Sequence, residues 1–129
     1  MGPEEVSPQT GATQVTNDCI FCRIVSGDVP ADVVLETDHI VAFRDLSPQA
    51  PVHVLVIPRE HVEAVGTLGS EHHDLAGHLL LAAREVAERE EVHQSGFRVV
   101  ANTGREGGQS VDHLHLHVLG GRPLSWPPG

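Results

Sequence analysis

Three histidines stand two apart in the stretch SVDHLHLHVLGG, at 113, 115 and 117, interleaved with Leu114, Leu116 and Val118. In an extended chain successive side chains point to opposite faces, so this spacing predicts one face of imidazole and one of core. Neutral imidazole is a good nucleophile near neutral pH, and imidazolium donates well to phosphoryl oxygens. The middle ring, flanked on both sides, is the natural attacker, which assigns nucleophilic attack to His115. The preceding loop, TGREGGQS, brings Gly104, Gly107 and Gly108, which permit close backbone approach to a ligand. Ser110 adds a hydroxyl, and Asn102, at the end of the preceding strand, adds an amide. A glycine-rich loop alone is a turn as often as a site. Joined to three aligned imidazoles, its N–H groups predict a pocket for a phosphoryl group.

A second group of reactive residues is the pair Cys19 and Cys22, the only cysteines of the chain. The spacing is read either as a redox pair or as half of a metal site. No strand precedes Cys19 as a thioredoxin-like redox motif requires, which favours half a zinc site, its remaining ligands being two histidines from elsewhere.

These groups need a scaffold, and 129 residues suffice for one domain with one core. CIFCRIVSG predicts one or two helical turns ended by Gly27. ADVVLETDHIVAFRD predicts two strands with a turn near Thr37–Asp38. VHVLVIP is a third strand, with Val52, Val54 and Val56 on one face and His53, Leu55 and Ile57 on the other. REHVEAVGTLG predicts a short helix and turn. Ser70 is positioned to cap a longer helix through EHHDLAGHLLLAAREVAEREE, in which Leu75, Leu79, Ala82, Ala83 and Val86 fall at helical spacing. His72, His73, His78 and His93 read as solvated residues on or near it. FRVVAN is a fourth strand and VDHLHLHVLGG a fifth. The order implies an α+β fold with a five-stranded, mainly antiparallel sheet and two helices.

Residues 1–17 are polar, with two prolines and two glycines, and predict a disordered tail before a domain spanning 18–129. They lack the basic start and apolar stretch of a signal peptide, and no apolar run is long enough to span a membrane, so a cytoplasmic location is expected. A net charge of −10 argues against a nucleic-acid binder but not against a small nucleotide held in a local pocket.

His113-Leu114-His115-Leu116-His117-Val118-Leu119 resembles the signature of the histidine-triad family, three histidines alternating with apolar residues. GGQSVDHLHLHVLGGR, the terminal WPPG and SPQAPVHVLVIPREH are similar to its nucleoside-phosphoramidase branch, over roughly residues 19–129. The resemblance implies a homodimer whose two sheets join into a ten-stranded one. It also implies binding of a purine nucleoside monophosphate and hydrolysis of nucleoside 5′-phosphoramidates through a nucleotidyl-histidine. It places the nucleophile at His115, an α-phosphate contact at His117, and Ser110 near the leaving amine. Asn102, Gly108 and Gln109 fall at phosphate-side positions, Asp45 at the ribose hydroxyls and Leu46 at the nucleoside wall. Bacterial members with a cysteine pair carry zinc, which here implies a structural site of Cys19, Cys22, His53 and His113, with no organic cofactor. Two other readings accompany this one. Cleavage of dinucleoside polyphosphates or adenylyl sulfate uses the same centre; a non-catalytic nucleotide-binding or zinc-stabilised interaction module uses the same pocket without turnover. The complete set of His115, His117 and Ser110 favours an enzyme, and the WPPG tail favours the phosphoramidase branch.

Overall fold

The computed structural model describes residues 18–129; the tail expected over 1–17 lies outside the described residues. A short helix α1 (Ile20–Ser26) leads into strands β1 (Val33–Glu36), β2 (Ile40–Arg44) and β3 (Val52–Pro58). The long helix α2 (His73–Arg89) follows, then β4 (Phe97–Ala101) and β5 (Leu116–Gly120). The five strands form one antiparallel sheet in the order β1-β2-β3-β5-β4. This is the α+β architecture expected from the sequence.

Period-two alternation divides the sheet between two cores. Val54, Val56, Leu116 and Val118 turn to α2 and meet Leu79, Ala82, Ala83 and Val86. Leu55 and Ile57 turn the other way, where Cys19, Phe21 and Cys22 of the α1 region cover them with Val41 and Phe43. Gly27, at φ +87°, ends α1 with its N–H on the Ile24 carbonyl, a left-handed cap that glycine adopts without strain.

Three local expectations are corrected. α2 begins at His73, and Ser70 instead starts a 3-10 turn, Ser70–His72; Gly69 N–H donates to His72 Nδ1 there at 2.9 Å. The helix expected in REHVEAVGTLG is a single 3-10 turn, Val65–Thr67; Gly66 and Gly69, with the β-branched Val62, Val65 and Thr67, give the segment little helical propensity. β5 begins only at Leu116, so His113 and His115 precede the ladder. There the Leu114 N–H leaves the sheet and bonds the Val62 carbonyl at 2.6 Å.

Candidate active site and metal centre

Although only His117 lies within β5, the three imidazoles keep to the face opposite α2. Leu114, Leu116 and Val118 belong to the α2-side core, while the Phe21 ring meets His113 and His115 edge-on at 5.9 and 5.2 Å. His115 is buried, and its ring lies 5.0 Å from that of His117. His115 Nδ1 is 2.7 Å from the His113 carbonyl oxygen. A carbonyl only accepts, so Nδ1 carries the proton and Nε2 keeps a bare lone pair, the state a nucleophile needs.

His117 has the opposite polarity. The backbone N–H of Gln49 donates to His53 Nδ1 at 3.0 Å, which leaves the proton of His53 on Nε2. That Nε2 is 2.9 Å from His117 Nδ1 and 3.5 Å from Asp45 Oδ2. His117 therefore accepts at Nδ1 and presents Nε2–H as a donor. Its pKa is pushed down to about 4, first by desolvation and then by the neighbouring imidazoles of His115 and His53, with Asp45 opposing. A bare nitrogen thus stands beside a neutral donor, a pair able to attack phosphorus and hold a phosphoryl oxygen.

His53 is not one of the four metal-ligating side chains expected with the cysteines. Cys19, Cys22, His61 and His113 converge instead, their ligand atoms all within 4.8 Å of one another. The reason is position along β3: His53 lies near its start and His113 meets its end, where His113 Nε2–H donates to the Pro58 carbonyl at 2.9 Å. Five residues of strand separate the two, roughly 17 Å. The chain continues past Pro58 and brings in His61, which the sequence reading missed. His113 Nδ1 is left bare toward Cys19 Sγ at 3.3 Å, Cys22 Sγ at 3.6 Å and His61 Nδ1 at 3.1 Å, and Cys22 Sγ lies 3.2 Å from His61 Nδ1. Zinc bond lengths in a tetrahedron require nitrogen–nitrogen and nitrogen–sulfur separations of about 3.3–3.6 Å. The donor set fits zinc in type, number and spacing, and the Pro58 carbonyl orients His113 as a metal-bound imidazole requires. Asp45, His53 and His117 also cluster. There the Gln49 N–H fills His53 Nδ1, so His53 could ligate through Nε2 only by giving up its last proton.

The phosphate-side loop is more self-contained than expected. The Gly108 N–H bonds the Arg105 carbonyl and the Gln109 N–H bonds the Gly104 carbonyl. The Gln109 amide spans the loop, accepting from Gly104 N–H and donating to the carbonyls of Glu63 and Val111. Asn102 Nδ2 donates to the Gly107 carbonyl at 2.7 Å. Gln109, Gly108 and Asn102 thus shape the loop rather than offering these donors to a ligand. Ser110, at its end, is exposed and lines a cavity with Cys19, Ile20 and His61.

On the α1 side an apolar cavity of about 240 Å³ is lined by Ile20, Phe21, Ile24, Val29, Phe43 and Leu55, together with Asp45 and Leu46. Leu46 itself is 99% exposed, so the walls come mainly from Phe21, Ile24, Val29, Phe43 and Leu55, none of which the sequence marks as a site residue. Phe21 joins this cavity to His115, whose ring it meets edge-on. Asp45 is held in place by the Ser47 N–H, which donates to Oδ1 at 2.7 Å.

Residues 26–124 match the model of the HIT domain family. The chain belongs to the HIT domain family. It is 50% identical over 115 residues to an uncharacterised HIT-like protein of Synechococcus elongatus, covering 89% of this chain and all of the relative. It is 42% identical over 110 residues to the purine nucleoside phosphoramidase of Escherichia coli, covering 85% and 92% of the two chains. A HIT family hydrolase from Legionella pneumophila superposes with a TM-score of 0.84 at 44% identity, covering 86% of this chain and 99% of that one. This HIT protein thus shares sequence and fold with hydrolases of the family.

Proposed function

We propose that this HIT protein hydrolyses purine nucleoside 5′-phosphoramidates through a nucleotidyl intermediate on His115. The observation that carries the reading is the opposite polarity of two adjacent rings: His115 with Nε2 bare, His117 with Nε2 protonated. The phosphoramidase activity of the Escherichia coli relative supports the choice of bond.

The purine stacks in the apolar cavity against Phe21 and Phe43, and Asp45 accepts from the ribose hydroxyls. His115 Nε2 attacks the α-phosphorus, and the phosphorus–nitrogen bond breaks as the P–Nε2 bond forms. His117 Nε2–H holds the charge on a phosphoryl oxygen, worth several kcal/mol in a water-poor site (about 2.7–4 for one such donor). The amine departs with a proton that Ser110 helps to deliver. Water then attacks the same phosphorus, releasing the nucleoside monophosphate and restoring His115. Zinc bound by Cys19, Cys22, His61 and His113 would be structural, since four protein ligands would leave no position for substrate.

The test is turnover of an adenosine phosphoramidate of a primary amine. The native protein should release AMP, and rapid quench should show an adduct of AMP mass on the peptide containing His115. His115→Ala should lose turnover by several orders of magnitude, about 10⁴-fold or more, while still binding AMP. Near-normal turnover by that variant, or an adduct on another residue, overturns the assignment.

A further inference from the structure

His117 takes its polarity from His53, whose Nε2–H form is favoured by the Gln49 N–H at Nδ1 and by the Asp45 carboxylate 3.5 Å from Nε2, and the structure shows what holds Gln49. After β5 the chain turns at Gly121, whose φ is +91° and where a Cβ would come within 2.9 Å of the Pro51 ring. Glycine is required on both counts, and the turn lies directly on the loop between β2 and β3. From there the Arg122 guanidinium donates to the Gln49 carbonyl at 3.0 Å and to the Pro123 carbonyl at 3.1 Å. Gln49 Nε2 donates to the Ser47 carbonyl at 2.9 Å, so the loop is fixed from both sides. A continuous chain results: Arg122 to Gln49 O, Gln49 N–H to His53 Nδ1, His53 Nε2–H to His117 Nδ1.

We propose that Arg122 is a positioning residue that fixes the tautomer of His117 through Gln49 and His53, and so keeps a donor rather than a lone pair beside the nucleophile. Without the Gln49 N–H in place, only Asp45, 3.5 Å from Nε2, still favours the proton there, and the Nδ1–H tautomer of His53 becomes accessible. If the proton moves to Nδ1, His53 Nε2 becomes an acceptor, His117 turns its proton to Nδ1, and a bare Nε2 faces the phosphoryl oxygens. The burial that keeps His117 neutral at pH 7 makes this choice absolute, because the ring then has one proton to place. The catalytic half of the proposal rests on the phosphoramidase reading; the tautomer half does not.

The experiment is nitrogen NMR of protein labelled with ¹⁵N-histidine, comparing the native protein with Arg122→Ala, Arg122→Lys and Arg98→Ala. Arg98 is the control: it grips the same tail, at the Leu124 carbonyl (3.0 Å) and that of Ser125, but does not reach Gln49. In the native protein His117 should be a single Nε2–H tautomer. Arg122→Ala should give a mixture, Arg122→Lys should restore most of the native form, and Arg98→Ala should leave it unchanged. In parallel, kcat for the phosphoramidate should fall about tenfold in Arg122→Ala, a fraction of what a positioned acid–base group contributes, with a smaller change in KM. An unchanged His117 tautomer in Arg122→Ala, or an equal disturbance in Arg98→Ala, overturns the proposal. If the native protein turns over no phosphoramidate, the functional reading fails and the NMR comparison alone decides the role of Arg122.

Discussion

At the residue scale the site is governed by which nitrogen of each ring carries the proton. His53 and His113 are both buried, His53 against the His117 ring and His113 bonded through its carbonyl to His115, and they are separated in role by their backbone partners. His53 accepts an N–H at Nδ1 and must donate at Nε2; His113 donates to a carbonyl at Nε2 and offers Nδ1 to the cysteines. Substitution separates the two roles. His61→Ala should weaken metal binding by about tenfold or more, at least the cost of losing an outer-shell partner, with a lowered melting temperature. His53→Ala should leave zinc content at one per chain and reduce turnover instead. Metal analysis beside a turnover assay decides it; zinc lost from His53→Ala and kept in His61→Ala would reverse the assignment. The alternation of His113, His115 and His117 was legible because side-chain direction in an extended segment is a local property. His61 was not, because it lies in an irregular segment where no periodicity marks a face, and only the tertiary approach of residue 62 to residue 114 brings it in.

At the element scale α1 is a cover that a metal held by Cys19, Cys22, His61 and His113 would tie down. It has seven residues, too few to be stable alone, and its N-cap is Cys19, whose Sγ accepts the Cys22 N–H at 3.3 Å. It docks through Phe21 and Cys22 onto β2, β3 and the histidines. The cysteine side chains would thus hold the helix that walls the apolar cavity, while His113 joins the candidate ligand group by its ring and bonds His115 by its carbonyl. Chelation should therefore lower both the melting temperature and the affinity for AMP, and slow turnover even well below the melting transition. Added zinc should restore all three. A chelated protein that melts earlier but binds AMP and turns over normally would confine the metal to a purely stabilising role. The strands and both helices could be read from apolar periodicity. The internal bonding of the loop 104–109 could not, because glycines signal freedom of backbone and say nothing of where the freed N–H groups go.

At the scale of the whole molecule, one side of the sheet is unfinished. Among the described residues β4 bonds only β5, which leaves its outer edge open to pairing, a hazard that proteins otherwise cover or charge. Beside it Leu80 and Leu81 of α2 and Val99 of β4 are exposed at 62%, 67% and 39%. An apolar groove lined by Val65, Leu68, Leu80 and Val99 runs between them. We infer that a second copy covers this face. Two β4 strands pairing about a two-fold axis would close both edges and continue one sheet into the other, as an isologous interface requires. Full burial of such a side chain is worth about 1.5–3 kcal/mol, and the area still exposed on each of Leu80, Leu81 and Val99 would contribute about half of that. The chain has a single tryptophan, Trp126, which is 83% exposed in one copy. Its place in the proline-stiffened C-terminal segment suits a side chain that packs on the partner, so its emission reports the assembly directly. Sedimentation at micromolar concentration should give twice the chain mass, with blue-shifted Trp126 emission. Val99→Lys, which charges the edge, and Leu80→Glu, which charges the helix face, should each give a folded monomer with red-shifted emission, because neither side chain belongs to the core. A native monomer would defeat the inference. So would a dimer that survives both substitutions, since its interface would have to lie elsewhere.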